Sequence, residues 1–255
     1  MKFLVVKRSS IIKVAAIIAL LAALTVSVGL TGSAAVYGGK TTRKLPIYSV
    51  ETDEKAVALS FDASWGADKT LDILDTLERY DIKANYFVVS FWAEKYPDEL
   101  KKLHDSGRVE IGTHSNTHSH MSKLSRSQVE LELTSSCDII EKIIGVRPDL
   151  FRAPFGEFDD KLLEEAEKQK LYTIQWDVDS LDWKNLSAQK MAERVLSGVK
   201  CGSIVLMHND GKNTVQALPL IIEGLKNKGY SFKTIGELIY RDNYVIDHTG
   251  RQIRR

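Results

Sequence analysis

The sequence predicts an α/β fold in which helices cover a mostly parallel sheet. Short apolar runs typical of buried strands alternate along the chain with longer segments whose apolar residues recur every three or four positions. About six or seven such strand–helix units fit between residues 55 and 240, which is enough for the sheet to curl into an incomplete barrel. With 44% hydrophobic and 27% charged residues, the composition is that of a globular protein and excludes a disordered chain.

The first half of this region supplies three strands and three helices. The strands are predicted from short apolar runs: 55–61 (KAVALSF), 84–90 (ANYFVVS) and 109–112. The helices are predicted from apolar stripes and terminal glycines: 68–80, 97–106 and 125–144. Leu71, Leu74 and Leu77 form the stripe of the first helix, and Gly145 favours the left-handed cap that ends the third.

The second half continues the alternation. Four further strands are predicted: 149–152, 171–176, 203–208 (SIVLMH) and 231–234. Three further helices are predicted: 159–170, 187–199 and 215–228. Residues 55–240 are therefore expected to form one domain. The segment 36–54 is polar and lacks periodicity, so we expect a linker, and the polar tail 241–255 is expected to be loosely held.

The N-terminus carries an export signal. Four cations lie in residues 1–13, and an apolar run of about 17 residues follows from Val14 to Leu30. The run is at the lower limit for spanning a bilayer, and small residues would allow cleavage after Ala35. Residues 1–35 are therefore expected to be either a cleaved signal peptide or an uncleaved signal-anchor. Either outcome places the rest of the chain outside the membrane.

Charge and cysteine content exclude two classes of protein. The formal net charge is +1, which gives no broad electrostatic reason to bind nucleic acid. Cys137 and Cys201 are the only cysteines and lack zinc-finger spacing. Two buried thiols or a single disulfide are both compatible with the sequence.

Polar side chains that could act chemically follow successive predicted strands. They are Asp62, His114, His118, Arg152, Asp182 and His208. Because the carboxyl ends of parallel strands meet at one edge of a sheet or barrel, we expect these side chains to form a single site.

Each of these positions has a chemical and a structural interpretation. His114 and His118, in THSNTH, are spaced as on one helical turn, where two imidazoles could hold one divalent cation, although a polar loop is the alternative. His120 is a third imidazole nearby and could be a ligand or a bystander. Asp62 could be a general base that takes a proton from water, or the cap of a following helix. Arg152 could hold Asp62 by a bidentate contact, or could belong only to a turn.

The predicted strands 171–176 and 203–208 are followed by, or end in, both polar and apolar candidates. His208 could be a general acid or a buried structural histidine, and Asp182 could orient it or be a solvated loop carboxylate. Leu206 faces the same way two residues earlier and could form an apolar floor for an acetyl methyl. Trp183 could wall a small pocket and stack on a sugar.

The order and type of these residues resemble the polysaccharide deacetylases (NodB-homology domain, carbohydrate esterase family four). The resemblance spans residues 55–240 and rests on five motifs in order: SFDAS, HSNTH, RAPFG, DSLDW and LMH. FDASWG and WDVDSLDWKN resemble the membrane-anchored, sporulation-associated members from Gram-positive spore formers. The resemblance implies a distorted (β/α) barrel with about seven parallel strands. It also implies a hydrolase of carbon–nitrogen bonds other than peptide bonds, in which a divalent metal, usually zinc, activates water.

The resemblance assigns a role to each candidate residue. Asp62 would be the base, His208 the acid, and His114 and His118 the metal ligands. Arg152 and Asp182 would tune the base and the acid. The substrate-binding residues would be Trp183, Leu206 and Phe155. The implied substrate is an N-acetylglucosamine polymer of the bacterial cell envelope, with peptidoglycan preferred, and the protein is expected to be a monomer that touches the membrane only through its N-terminus.

One position departs from the family pattern. The first motif of the family usually carries two consecutive aspartates, the second a metal ligand, and this chain has Ala63 there. Three outcomes are open. The metal could bind more weakly through His114 and His118, another residue such as Asp68 or His120 could replace the ligand, or the site could be metal-poor. The rival function is therefore a non-catalytic or weakly active glycan-binding envelope protein on the same fold.

Overall fold

The computed structural model of the protein describes residues 44–255. The predicted export segment, 1–35, and the first part of the predicted linker lie outside the described residues. In chain order, the strands are β1 (Ser49–Val50), β2 (Ala56–Ala63), β3 (Ala84–Val88), β4 (Val109–Thr113), β5 (Leu150–Phe151), β6 (Tyr172–Thr173), β7 (Val178–Asp179), β8 (Ser203–His208), β9 (Ser231–Phe232), β10 (Tyr244–Ile246) and β11 (Arg251–Arg254).

The helices follow most strands and cover the sheet. They are α1 (Thr70–Arg79), α2 (Ser90–Lys95), α3 (Pro97–Asp105), α4 (Arg126–Ile144), α5 (Asp160–Lys168), α6 (Ala188–Gly198), α7 (Thr214–Asn227) and α8 (Ile235–Leu238). Ser125 caps α4 through a hydrogen bond from the Gln128 amide, and Gly145 ends it with a φ of 76°, the left-handed geometry expected from the sequence. Within residues 44–255, no helix is both long and apolar enough to cross a bilayer.

Seven strands form a curled, parallel half-barrel. Each hydrogen-bonds in parallel to its neighbour in the order β6-β5-β4-β3-β2-β8-β7. The predicted distorted barrel of about seven parallel strands is therefore confirmed. Beyond β6, Ile47 continues the sheet: its amide donates to the Thr173 carbonyl (2.9 Å) and its carbonyl accepts from the Gln175 amide (2.7 Å).

The two faces of β2 show how the core is divided. Leu59, Phe61 and Ala63 belong to the apolar cluster between the sheet and its helices. Ala56 and Ala58, on the alternate face, belong to a second cluster inside the half-barrel. Because alternation continues along the strand, the polar residues of β2 that share this inner face reach the carboxyl end of the barrel.

Both ends of the described chain differ from the prediction. Residues 49–50 were expected in a linker, but β1 pairs with β8 and β11, and Val50 is fully buried. The tail was expected to be loose, but Gln252 in β11 is buried and exchanges two side-chain hydrogen bonds of 2.8 Å with the backbone of Tyr240. Such short strands carry too few residues for a periodic pattern, and their partners are distant in sequence. Cys137 and Cys201 are free thiols.

Candidate active site

The carboxyl ends of β2 and β8 bring the proposed base and acid together. Asp62 and His208 are directly paired in the parallel register of these strands. Paired residues on neighbouring parallel strands project to the same face, so both side chains border one cleft of about 430 Å³. Seven of the nine predicted site residues line this cleft: Asp62, His114, His118, Phe155, Trp183, Leu206 and His208. Arg152 and Asp182 lie buried behind it and contact Asp62 and His208.

Arg152 holds Asp62 with one hydrogen bond. Its Nη1 donates to Asp62 Oδ1 at 2.8 Å, and Nη2 donates to the carbonyl of Gln175 at 3.1 Å. The expected bidentate contact is therefore wrong, because Gln175 takes the second nitrogen. Burial by itself raises the pKa of Asp62, but the charge and hydrogen bond of Arg152, together with the imidazolium forms of His114 and His208, outweigh it, and the net pKa lies below the usual 3.8. Asp62 is therefore ionised at neutral pH, as a base must be.

Asp182 orients His208. Its Oδ1 lies 2.7 Å from His208 Nδ1, and its Oδ2 accepts from the His208 amide at 2.7 Å and from Thr214 Oγ1 at 2.8 Å. Because a carboxylate accepts a hydrogen bond from Nδ1, the Nδ1 proton stays in place, and Nε2 is the nitrogen that can exchange a proton with a substrate. Burial lowers the pKa of His208, but the hydrogen bond and charge of Asp182 outweigh it, so the net pKa is raised above 6.5.

The two candidate metal ligands lie on a loop, contrary to the expectation of a helical turn. Ser115 and His118 both adopt left-handed φ angles, 77° and 56°, which fold the segment back on itself. The imidazole centroids of His114 and His118 are 5.1 Å apart. His114 Nδ1 lies 2.8 Å from the carbonyl of Arg152, which can only accept, so the proton is on Nδ1 and Nε2 carries the free electron pair.

Aromatic rings form much of the cleft wall. Phe155, with a φ of 60°, stands edge-on to His118 at 4.7 Å and stacks on His120 at 4.2 Å. His120 Nδ1 in turn lies 2.9 Å from Glu157, so it is engaged with this wall. Trp183 is exposed on the opposite side, beyond β7, while Leu206 is buried and closes the bottom. The cleft therefore offers an apolar floor and aromatic sides to a small acyl group.

Comparison with known proteins identifies the family. A family model described as polysaccharide deacetylase matches residues 49–174. A peptidoglycan-N-acetylglucosamine deacetylase of Bacillus cereus is 32% identical over 192 residues, which cover 74% of this chain and 70% of that protein. The chain belongs to the polysaccharide deacetylase family. The resemblance inferred from the five motifs is therefore confirmed.

Two other similar proteins bear on activity within this polysaccharide deacetylase family. The uncharacterised protein YlxY of Bacillus subtilis is 32% identical over 194 residues, and the chain spans 60% of its length. A wild-type pseudoenzyme of carbohydrate esterase family four from Bacillus anthracis has a TM-score of 0.74 and 30% identity, with 82% of this chain and 73% of that chain covered. A mutant of that pseudoenzyme has restored enzymatic activity. The same fold therefore occurs in active and inactive members.

The donor set fits the metal of polysaccharide deacetylases only in part. Members of the family are generally metal-dependent. Burial lowers the pKa of both histidines, that of His118 to about 4, so two neutral imidazoles are present. His114 Nε2 and Asp62 Oδ2 face each other at 3.7 Å as two electron-pair donors. Ala63 supplies no oxygen, and residues 44–255 contain no group of three or more metal-binding side chains arranged around one point.

Glu132 is a site residue that the sequence did not reveal. From α4 its carboxylate accepts hydrogen bonds from the amides of Asn116 and Thr117, at 3.0 and 2.9 Å, and from Thr117 Oγ1 at 2.6 Å. These bonds hold the loop between His114 and His118. The glutamate lies 14 residues after His118 on an amphipathic helix, where nothing in the local pattern distinguishes it from a solvated charge.

Replacing Glu132 with glutamine is expected to loosen this loop. The glutamine side chain is neutral, so the hydrogen bonds from the amides of Asn116 and Thr117 are no longer charge-assisted, and the free energy of unfolding falls by about 1–2 kcal/mol. The affinity for added zinc at the candidate ligands His114 and His118 is expected to fall with it, because the imidazoles lose their fixed spacing. Urea denaturation and calorimetric zinc titration measure the two effects. Glu130→Gln, an exposed neighbour on α4, is the control, and equal behaviour of the two variants would exclude a role for Glu132.

With His208 as the proposed general acid, the alkaline limb of kcat/KM is expected to follow deprotonation of its imidazole, because a general acid must carry its proton. Since the pKa of His208 is raised, this limb lies above pH 6.5. Asp182→Asn removes the charge that raises the pKa, so the limb moves to lower pH and kcat falls by about 10²-fold or more. Rate profiles of both proteins against pH measure this, with exposed Asp242→Asn as control. An unmoved limb would mean that another group titrates.

Proposed function

We propose that this protein is a hydrolase that removes N-acetyl groups from an N-acetylglucosamine-containing polymer of the cell envelope, with peptidoglycan as the substrate. The observation that carries the proposal is the register pairing of Asp62 and His208, each held by its own buried partner on one cleft. A binding protein has no need for an ionised base and a protonated imidazole in this arrangement. The names of the relatives support peptidoglycan.

The cleft residues account for each proton in the reaction. Ionised Asp62 takes a proton from a water molecule, whose oxygen attacks the acetyl carbonyl carbon. His208 then gives its Nε2 proton to the leaving nitrogen as the carbon–nitrogen bond breaks. The products are a free amine and acetic acid, which loses its remaining proton to solvent and becomes acetate. At the end Asp62 carries a proton and His208 has lost one, and proton exchange with solvent returns both groups to their starting states. Leu206 receives the acetyl methyl, and Trp183 and Phe155 flank the sugar.

We propose that His114 and His118 hold a divalent metal, with zinc preferred because neutral imidazoles suit it. When bound there, the metal would polarise the acetyl carbonyl as a Lewis acid. The absence of a carboxylate at Ala63 makes weaker binding the expectation for this chain.

Replacing Ala63 with aspartate tests that proposal. A third ligand should tighten zinc binding by at least about tenfold, because it adds charge and coordination. Titration calorimetry measures the affinity, and Ala63→Asn is the matched uncharged control. Ala63 lies in the apolar cluster outside the barrel, so both variants should also lose stability. Equal zinc affinity in wild type and Ala63→Asp would show that the carboxylate at this position does not reach the metal.

Acetate release tests the enzymatic function. Purified protein is incubated with N-acetylglucosamine oligomers and with peptidoglycan, with and without added zinc or cobalt. Wild type should release acetate, and His208→Ala should not. The matched control is His104→Ala, because His104 borders a separate cavity at the amino ends of β3 and β4. Release by His208→Ala at the wild-type rate would exclude the proposed acid.

A second candidate function is glycan binding without turnover. Ala63 favours it, as does the similarity to a family pseudoenzyme. Oligomer binding without acetate release, at any zinc concentration, would support this function and overturn the first.

We further propose that the protein acts outside the cytoplasmic membrane, either anchored or secreted through residues 1–35. We also propose that it is a monomer and that it acts during sporulation. The basic and apolar N-terminus and the FDASWG and WDVDSLDWKN motifs support this. Protease accessibility in intact protoplasts tests the location, and protein found only in the cytoplasm would overturn it.

A further inference from the structure

The exposed aromatic side chains of the protein lie at or beside the cleft, whereas the exposed aliphatic side chains lie elsewhere. Within residues 44–255, four large aromatic residues are exposed, Trp65 (59%), Phe91 (37%), Phe155 (54%) and Trp183 (55%). Three of them line the cleft, and the fourth, Phe91, lies 6.4 Å from Trp65 between ring centroids. The exposed aliphatic residues lie elsewhere, on α4, after it and on α7: Leu131, Val146 and Leu220. Exposed aromatic surface is therefore concentrated at one place.

Trp65 is held rigidly although it is exposed. The next residue, Gly66, has a φ of 63°, and its carbonyl accepts from Trp92 Nε1 at 2.7 Å and from Asn209 Nδ2 at 2.8 Å. The Trp65 ring stands edge-on to His118 at 4.8 Å. Anchored backbone and fixed ring contacts keep a large apolar face in water, which is unfavourable unless a ligand covers it.

The position of Trp65 and Phe91 separates them from Trp183. Trp65 follows β2 and Phe91 lies at the start of α2, after β3, whereas Trp183 follows β7. In the strand order β7-β8-β2-β3, the base and acid on β2 and β8 stand between the two aromatic sets. Phe91 continues the surface outward from the cleft, since it does not line the cleft itself.

The chemistry at this surface favours a neutral ligand. The nearby cation Lys69 is already engaged, because its Nζ donates to the carbonyls of Asp210 (2.8 Å) and Gly211 (3.0 Å). A ligand bound at Trp65 and Phe91 would contact mainly the faces and edges of aromatic rings and few charged groups. The apolar face of a sugar ring matches such a surface, as it would match Trp183.

We propose that Trp65 and Phe91 form a stacking subsite for the pyranose ring of a sugar residue adjacent to the one in the cleft, so that the glycan crosses the cleft between this subsite and Trp183. This inference rests on the proposed function, since it takes the same polymer as ligand. It makes recognition dependent on chain length: a single N-acetylglucosamine fills the cleft alone, and an oligomer also covers Trp65 and Phe91.

Binding without turnover tests the subsite. Titration calorimetry compares monomeric N-acetylglucosamine with its pentamer in the wild type, Trp65→Ala and Phe91→Ala, with Leu131→Ala as the matched exposed control. Trp65→Ala should weaken pentamer binding on the order of tenfold and monomer binding by much less, because Trp65 also borders the cleft. Phe91→Ala should weaken pentamer binding by less than Trp65→Ala does and should leave monomer binding unchanged. Leu131→Ala should change nothing.

Three results would overturn the inference: no pentamer binding by wild type, unchanged pentamer affinity in both aromatic variants, or equal loss for monomer and pentamer in Trp65→Ala. The last would mean that Trp65 acts through His118. Phe91→Ala carries the test if Trp65→Ala fails to fold, because Phe91 packs near Trp65 and does not line the cleft. Absent acetate release would overturn the proposed hydrolase but leave a length-dependent subsite intact, so the two failures are distinguishable.

Discussion

Replacing Asp62 with asparagine is expected to lower kcat for acetate release by about 10²- to 10⁴-fold. The amide cannot take a proton from water, whereas its oxygen can still accept the hydrogen bond from Arg152 Nη1. The variant should therefore keep its fold and its affinity for oligomers. Initial rates of acetate release, with circular dichroism and calorimetric binding on the same preparation, separate the lost chemistry from any loss of structure.

A matched control for this variant is Asp72→Asn. Asp72 lies on the exposed side of α1, so its replacement tests the generic effect of removing one carboxylate. It should leave the rate within twofold or so of wild type, as surface substitutions usually do. Full activity in Asp62→Asn would show that another group receives the proton, and the proposed mechanism would have to be abandoned.

Replacing Arg152 with methionine is expected to lower the free energy of unfolding by about 3–5 kcal/mol at neutral pH. Arg152 is fully buried, its guanidinium carbon is 4.2 Å from the centre of the Phe87 ring, and it is the cation beside Asp62. Without it, Asp62 remains a buried carboxylate that has lost its hydrogen-bonded cation, and its pKa rises above the value in the unfolded chain. Activity should fall too, because a protonated Asp62 cannot act as a base.

The pH dependence and a double variant identify the cause of this loss. A carboxyl group with a raised folded pKa destabilises the protein above that pKa and stops doing so when it is protonated. The stability deficit of Arg152→Met should therefore shrink as pH falls below the raised pKa of Asp62. In an Asp62→Asn background, the same substitution should cost less at pH 7. Equal costs in both backgrounds, measured by urea denaturation, would assign the loss to packing alone.

Most strands of the half-barrel and the paired site residues could be predicted from the sequence because their signals are local. The run ending in His208 was predicted with its observed bounds, and Asp62 stands at the carboxyl end of β2 as its position after an apolar run indicated. Parallel alternation of strands and helices then implies that such ends meet at one edge. No knowledge of side-chain geometry was needed for that step.

Other features depend on contacts that no local pattern encodes. The left-handed backbone at Ser115 and His118 is stabilised by Glu132, which comes from a different element. The single contact from Arg152 to Asp62 depends on where the Gln175 carbonyl lies. Phe91 was predicted in no element, because α2 has six residues and too few positions to show a stripe. Long-range partners determine each of these, and spacing along the chain does not.

The placement of β1 between β8 and β11 has a practical consequence for recombinant work. A protein started at residue 55, where periodicity begins, would lack a strand that hydrogen-bonds on both sides. Two unpaired strand edges would then face solvent, and exposed edges recruit other chains into aggregates. Expression boundaries chosen ahead of Ile47 and after Arg254 keep β1 paired with both of its neighbouring strands.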